Sequence, residues 1–141
     1  MADLESLIRL RKHSVDEKQK RLGEIYAKVE AIEARKKELT ERLNKEREAL
    51  NDDLALETRE YFGNFQGVMH GYIEQLDDDL AQLETRLLAA QEDVRVAFAD
   101  QKRVEIVNDR RKEEQAQELK TKESRELDEI GIEGFRRKDE L

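Results

Sequence analysis

The sequence predicts an all-α fold in which two long helices form an antiparallel coiled-coil hairpin and the second helix overhangs the first. Three observations predict it: the 141-residue chain has no proline, apolar residues recur three and four apart in two long series, and a short polar stretch separates the series. A stripe with this spacing faces a neighbouring helix, and a short connection returns the second helix beside the first. The first series is Leu4, Ile8, Val15, Leu22, Ile25, Val29, Ile32, Lys36, Leu39, Leu43 and Leu50; the second is Met69, Ile73, Leu76, Leu80, Leu83, Leu87, Ala90, Val94, Ala97 and Val104.

Helix 1 is predicted over about residues 4–50, with Asp3 as its N-cap because a carboxylate accepts hydrogen bonds from the free amides of the first turn. A run of short polar side chains begins at Asn51 and competes with the backbone for hydrogen bonds, so the turn is expected at about 51–57. Thr58 is then the expected N-cap of helix 2.

Helix 2 is predicted over about residues 58–130 and is followed by a flexible C-terminus. By length, residues 1–141 form one domain.

The hairpin is expected to turn near residue 54, so that facing residue numbers total about 108 and Leu4 meets Val104. Beyond Val104 the seam turns polar where its partner helix ends, which supports the hairpin. Helix 2 then continues as a solvated single helix with many opposite charges four residues apart. The polar seam positions are Asn108, Arg111, Gln115 and Glu118, and a small apolar cluster follows at Leu127, Ile130, Ile132 and Phe135.

Composition excludes several classes of protein. Charged residues make up 44% of the chain and hydrophobic residues only 37%. This hydrophobic content is too low for a thick globular core but is enough for a two-helix seam. There is no cysteine, and no apolar run approaches the roughly 18 residues that a membrane span needs. Residues 138–141 spell the endoplasmic-reticulum retention signal, which we expect to be a coincidence because no signal-peptide pattern precedes helix 1.

The net charge of −8 argues against a nucleic-acid partner, but the charge is unevenly distributed. Residues 9–21 contain six basic and two acidic residues, and residues 102–112 contain five and two. Residues 46–84 contain eleven acidic and two basic residues. In a hairpin the two basic segments lie together at the end that bears the termini, which suits an acidic partner.

Residues 61–72 hold four of the seven aromatic residues in the chain. On a helix, Phe65, Met69, Tyr72 and Leu76 form one stripe. Packing onto helix 1 near the turn is one explanation, since Met69 and Leu76 fit the seam. We favour partner binding, because Phe65 and Tyr72 lie outside the strict seam and aromatic residues dominate binding surfaces.

No catalytic, cofactor or metal site is predicted. His13 and His70 each lack a second ligand at helical spacing, and the chain has neither a nucleophile–histidine–acid arrangement nor a glycine-rich phosphate loop. A two-helix hairpin also has no pocket for a substrate. We therefore expect a protein that is not an enzyme.

Three segments together resemble a known family. They are the opening Leu7-Ile8-Arg9-Leu10-Arg11 followed by Val15-Asp16-Glu17-Lys18-Gln19, the aromatic segment 61–76, and the closing run from Arg110-Arg111 through Glu126-Leu127-Asp128-Glu129 to Phe135-Arg136-Arg137. With the length and the predicted hairpin, they are similar to the flagellar export protein FliJ. The resemblance implies a cytoplasmic component of flagellar type III export, peripheral to the inner membrane at the flagellar base.

The resemblance also implies partners. FliJ proteins are built like the central stalk of a rotary ATPase, dock in the ring of the export ATPase FliI with the end bearing the termini, contact the export gate protein FlhA and handle export chaperones. Their gate-binding stripe lies at the start of the second helix, and the matching positions here are Phe65, Met69, Tyr72 and Leu76.

We expect the ATPase contact at the basic end of the hairpin. The alternative is a structural coiled-coil scaffold or tether that self-associates through the same seam and has no ATPase partner. A parallel homodimer would place Lys36 against Lys36, so we expect an isolated monomer, which sedimentation distinguishes from an obligate dimer. The basic residues expected to bind the ATPase are Arg9, Arg11, Lys12, Arg110, Arg111 and Lys112.

Overall fold

The computed structural model describes residues 4–50 and 55–140, and within these ranges the chain forms two α-helices and no strand. Helix α1 is Leu4–Glu48, with 45 residues, and helix α2 is Leu56–Glu140, with 85 residues. The predicted all-α class, with two long helices packed against each other, is confirmed. The predicted N-cap Asp3 and residues 51–54 of the connection lie outside the described residues.

The connection begins two residues earlier than predicted. The backbone amide of Ala49 donates to the carbonyl of Lys45 at 3.1 Å, and that of Leu50 donates to Arg47 at 3.2 Å, which closes the last turn of α1. These bonds satisfy carbonyls that have no partner further along the helix.

The prediction that Thr58 caps the second helix is wrong. The amides of Thr58 and Arg59 both donate to the carbonyl of Ala55, at 3.0 and 3.2 Å, so Thr58 lies inside the first turn and Ala55 occupies the cap position.

The prediction that helix 2 ends near residue 130 is also wrong, because α2 continues to Glu140. Gly131 and Gly134 each cost about 1 kcal/mol relative to alanine in a helix interior. Most of their neighbours from 125 to 140 are glutamate, arginine, lysine and leucine, which are good helix formers, and no proline interrupts them.

The described chain forms two compact units. The central unit, Ser14–Ala97, pairs the main part of α1 with the first half of α2. The terminal unit combines α1 up to His13 with α2 from Phe98 onward. The prediction of one domain stays a prediction.

The seam of the central unit follows the predicted heptad series. Every position of the two series between Val15 and Ala97 is buried or half-buried, whereas most intervening side chains are exposed. Its best-covered cluster consists of Leu39, Leu43 and Met69. The half-buried side chains packed against this cluster are Phe62, Phe65, Ile73 and Leu76.

Two contacts on opposite flanks of the seam fix the register of the central unit. Gln91 Nε2 donates to Tyr26 Oη at 2.9 Å, and the Arg42 guanidinium lies 5.7 Å from the centroid of the Phe65 ring. The residue numbers of these pairs total 117 and 107, so facing seam positions total about 112. The predicted total of about 108 is therefore wrong by one helical turn.

The connection explains the shift in register. Ala49 and Leu50 line one groove together with Thr58 and Tyr61. The start of α2, at Thr58, therefore lies beside the connection, whereas Phe62 and Phe65 share the groove with Arg42 and Glu46 of α1. The sequence prediction placed the turn of the hairpin near residue 54, midway along the expected connection. It did not allow for the start of α2 lying beside the connection.

The register predicts which cysteines can be cross-linked. Tyr26→Cys with Gln91→Cys is expected to give an intramolecular product with a short thiol-specific cross-linker, because these side chains meet across the seam. In the matched control, Tyr26→Cys with Glu84→Cys, the second cysteine lies one heptad or about 10 Å away along the same face. Mass spectrometry of the monomer band reports both. Preferential linkage of the control pair would contradict this register.

Candidate functional site

The structure divides the predicted gate-binding stripe between core and surface. Met69 is only 8% exposed and packs with Leu39 and Leu43, and Leu76 packs against the same cluster. Tyr72, in contrast, is 57% exposed. Met69 and Leu76 thus stabilise the seam, while Tyr72 is available to a partner.

Phe65 lies at the boundary between the core and the surface. It is half-buried against the Leu39–Leu43–Met69 cluster, and its ring centroid lies 6.4 Å from that of Phe62. The Arg42 guanidinium covers one side of the ring at 5.7 Å, within the range of a cation–π interaction. The cluster thereby holds this ring at the edge of the seam.

Two exposed apolar residues that the sequence analysis did not single out lie on the same side of α2. Tyr61 is 73% exposed and Val68 is also exposed. Tyr61, Val68 and Tyr72 are spaced by seven and four residues, which places them on one face of a helix beside Phe65. We call Tyr61, Phe65, Val68 and Tyr72 the aromatic patch. The same spacing rule, applied outside the seam, would have found it.

The chemistry of the aromatic patch is that of a protein-binding surface. Aromatic side chains remove large apolar areas from water when a partner covers them, and arginine is the cation most often found beside them at interfaces. A shallow groove continues from the patch toward the connection. Its lining residues are Arg42, Glu46, Ala49, Leu50, Thr58, Tyr61, Phe62 and Phe65.

The three glycines of this segment are not used for close packing. A Cβ atom added at Gly63, Gly67 or Gly71 would meet nothing within 4 Å. Their face of the helix is therefore open and presents little side-chain surface, in contrast to the aromatic patch.

The six basic residues predicted to contact the ATPase all belong to the terminal unit. Five of them are exposed, whereas Arg11 is half-buried at a seam position. Hydrogen bonds from Gln101 and Lys102, with a smaller contribution from Lys12, lower the pKa of Glu105 below its ordinary value.

Beyond these residues, α2 has no partner within the described part of the terminal unit. Asn108 is half-buried, and every side chain from Asp109 to Asp139 is exposed. The predicted change from a covered to a solvated helix is present, but it comes after Asn108 rather than after Val104, because α1 covers one more seam position than predicted. We call residues 109–139 the bare segment; at 1.5 Å per residue it is about 45 Å long.

Within residues 4–50 and 55–140, neither helix contains a stretch with the length and apolar character of a membrane span. In the same ranges, three or more His, Cys, Asp or Glu side chains nowhere lie together as a metal site.

Comparison with known proteins identifies the family. The family model described as flagellar FliJ protein matches residues 1–140. The chain belongs to the FliJ family. FliJ is a non-catalytic, export-related component of the flagellum, so the predicted resemblance is confirmed. Searches of curated proteins and of solved structures found no match.

The division of the stripe predicts unequal effects of its residues on stability. Met69→Ala is expected to lower the free energy of unfolding by about 2 kcal/mol or more, because it leaves a void in the seam. Tyr72→Ala, the exposed counterpart one turn away, is expected to change it by less than about 0.5 kcal/mol. Urea unfolding followed by circular dichroism measures both. A larger loss for Tyr72→Ala would return this residue to the core.

Proposed function

We propose that this FliJ-family chain is a non-catalytic coupling and chaperone subunit of the flagellar type III export apparatus. In this role it acts as a central-stalk-like component that binds the ring of the FliI-like export ATPase, the cytoplasmic domain of the FlhA-like export gate, and export chaperones. It works in the cytoplasm, peripheral to the inner membrane at the flagellar base. The observation that carries the proposal is the bare segment, which begins with the basic cluster Arg110, Arg111 and Lys112 in a chain of this family.

The terminal unit suits an ATPase ring for a physical reason. The bare segment is a single helix, and its long charged side chains are exposed. Exposed charges form only weak contacts with one another, so they remain available to a partner. Such a helix can be contacted from all sides by surrounding subunits. Arg110, Arg111 and Lys112 stand at its start, where they offer cations to acidic groups of a ring.

The end of the bare segment supports the same role. Leu127, Ile130, Ile132 and Phe135 are all exposed, between 56% and 69%. At 100° per residue they spread over more than half of the helix circumference rather than forming one stripe. When apolar side chains spread over more than half of a helix circumference, an enclosing socket covers them more completely than a flat groove does.

The aromatic patch suits the export gate. It is one-sided, it is held in place by a buried cluster, and it contains two exposed tyrosines, a residue type enriched at binding hot spots. Of the gate-binding stripe expected from the resemblance, Phe65 and Tyr72 belong to this surface. Met69 and Leu76 support it from the core.

The first test concerns the gate. Tyr61→Ala with Tyr72→Ala is expected to weaken binding to the gate's cytoplasmic domain by about tenfold or more, because hot-spot aromatics lose large buried areas on truncation. Helicity should stay unchanged, since both side chains are exposed. Leu88→Ala is the matched control, because Leu88 is an exposed apolar residue of the same helix outside the patch. Calorimetric titration that gives equal affinities for both variants would refute the gate assignment.

The second test concerns the ATPase. Reversal of Arg110, Arg111 and Lys112 to glutamate is expected to lower stimulation of ATP hydrolysis while gate binding persists. The loss should be largest at low salt, because exposed charges are screened within about 8 Å at physiological ionic strength. The control reverses Lys37, Lys45 and Arg47, three exposed cations of the central unit, and makes the same change in net charge. Normal stimulation by the first variant at low salt would remove the basic cluster from the ATPase contact.

A further inference from the structure

The terminal unit contains a short seam of its own. Leu4, Leu7 and Ile8 are half-buried on α1, and Val104 and Asn108 are half-buried on α2. The covered positions Ile8 and Arg11 on α1 and Gln101 and Val104 on α2 continue the heptad spacing, and the facing total of about 112 pairs Arg11 with Gln101. The electrostatic effect on the Glu105 carboxylate agrees with this alignment, since it involves Lys12 and Glu105. Their numbers total 117, the same as for Tyr26 and Gln91 on the corresponding flank of the central unit.

This alignment places Arg11 and Gln101 in one layer of the seam. Gln101 is 9% exposed, and the Nε atom of Arg11 is buried without a hydrogen-bond partner among the described residues. Arg11 Nε is a donor and needs an acceptor, but Gln101 Oε1 does not accept from it. The Gln101 side chain is held by its own helix, where its Nε2 donates to Glu105 at 2.9 Å. A buried polar group without a partner destabilises the packed state relative to a solvated one.

Little apolar contact lies between this layer and the start of α1. By the same alignment, Ile8 faces Val104 in an apolar layer, and Leu4 faces the polar Asn108. The central unit, in contrast, stacks consecutive apolar layers that include Leu39, Leu43 and Met69. Its one seam cation near this cluster, Lys36, is paired with Asp77 at 2.6 Å.

We propose that the first ten residues of α1 up to His13 form a detachable strap, which opens from α2 at the Arg11–Gln101 layer while the central unit stays folded. Opening releases Arg11 Nε to water and uncovers Val104 together with the apolar stripe of Leu4 and Ile8. A partner that binds either uncovered face shifts the population toward the open state. The proposal rests on the packing of this seam alone, and it stands independently of the ATPase and gate assignments.

Hydrogen exchange of the full chain, read by mass spectrometry, tests the strap. Amides of residues 5–13 are expected to exchange at least about tenfold faster than those of 22–40, because local opening needs less free energy than unfolding of the central unit. Arg11→Leu with Gln101→Leu makes the layer apolar and is expected to slow exchange at 5–13 by about tenfold, without change at 22–40. The matched control is Arg9→Leu, which removes an exposed cation of the same segment and is expected to leave exchange at 5–13 unchanged.

Equal protection of 5–13 and 22–40 in the unaltered chain would overturn the proposal. So would fast exchange that the double variant leaves unaltered, because simple fraying of the helix end does not depend on the Arg11–Gln101 layer.

A second measurement leaves the Arg11–Gln101 layer intact. Ile8→Cys and Ile25→Cys place thiols at half-buried seam positions of the terminal and the central unit. The thiol at position 8 is expected to react with a maleimide about tenfold faster. Equal rates would likewise overturn the strap.

Discussion

The contact between the apolar seams of the two helices is the interaction on which the rest of the structure depends. Charged residues make up 44% of the chain, and none of the described large side chains is less than 2% exposed, because a pair of helices covers each seam residue from one side only. Stability therefore comes from many partly covered layers rather than from an enclosed core. Any function of such a chain has to lie on its surfaces, and the register of the seam decides where each surface group stands.

The register is set at the flanks of the seam rather than at its centre. A heptad pattern allows the helices to slip by one layer and still meet apolar side on apolar side. The Tyr26–Gln91 hydrogen bond and the Lys36–Asp77 ion pair each join one specific pair of residues, so a shift of the helices by one layer would break both contacts. Both are exposed and contribute little free energy each. Their value lies in selecting one alignment among several of similar apolar burial.

The sequence was sufficient to predict the apolar seam residues between Val15 and Ala97 and the family, but it missed the covered polar positions Arg11 and Gln101. It was insufficient to predict the register of α1 against α2, or which residues of the predicted gate-binding stripe are buried and which are exposed. Periodicity reports the angle of a residue around its helix, but the level at which two helices meet depends on the connection, which places Ala49 and Leu50 beside Tyr61. Phe65 shows the same limit. Its position beside the seam suggested exposure, yet Arg42 and the Leu39–Leu43–Met69 cluster cover part of its ring.

Apolar residues outside the seam divide into two kinds of surface, and the difference bears on how the chain would serve the two partners proposed for it. Tyr61, Val68 and Tyr72 stand on one side of a helix whose opposite side is held by the core, so a partner can approach from one direction only. Ile130, Ile132 and Phe135 are spread over more than half of the circumference of a helix whose side chains from 109 to 139 are all exposed, so a partner can enclose it. A one-sided contact resists rotation of the helix about its axis, because rotation turns the patch away. An apolar contact that encloses the helix resists this rotation much less, because rotation brings another apolar side chain to the same place on the partner. A subunit that stays attached to one partner while another turns or cycles around it needs one contact of each kind.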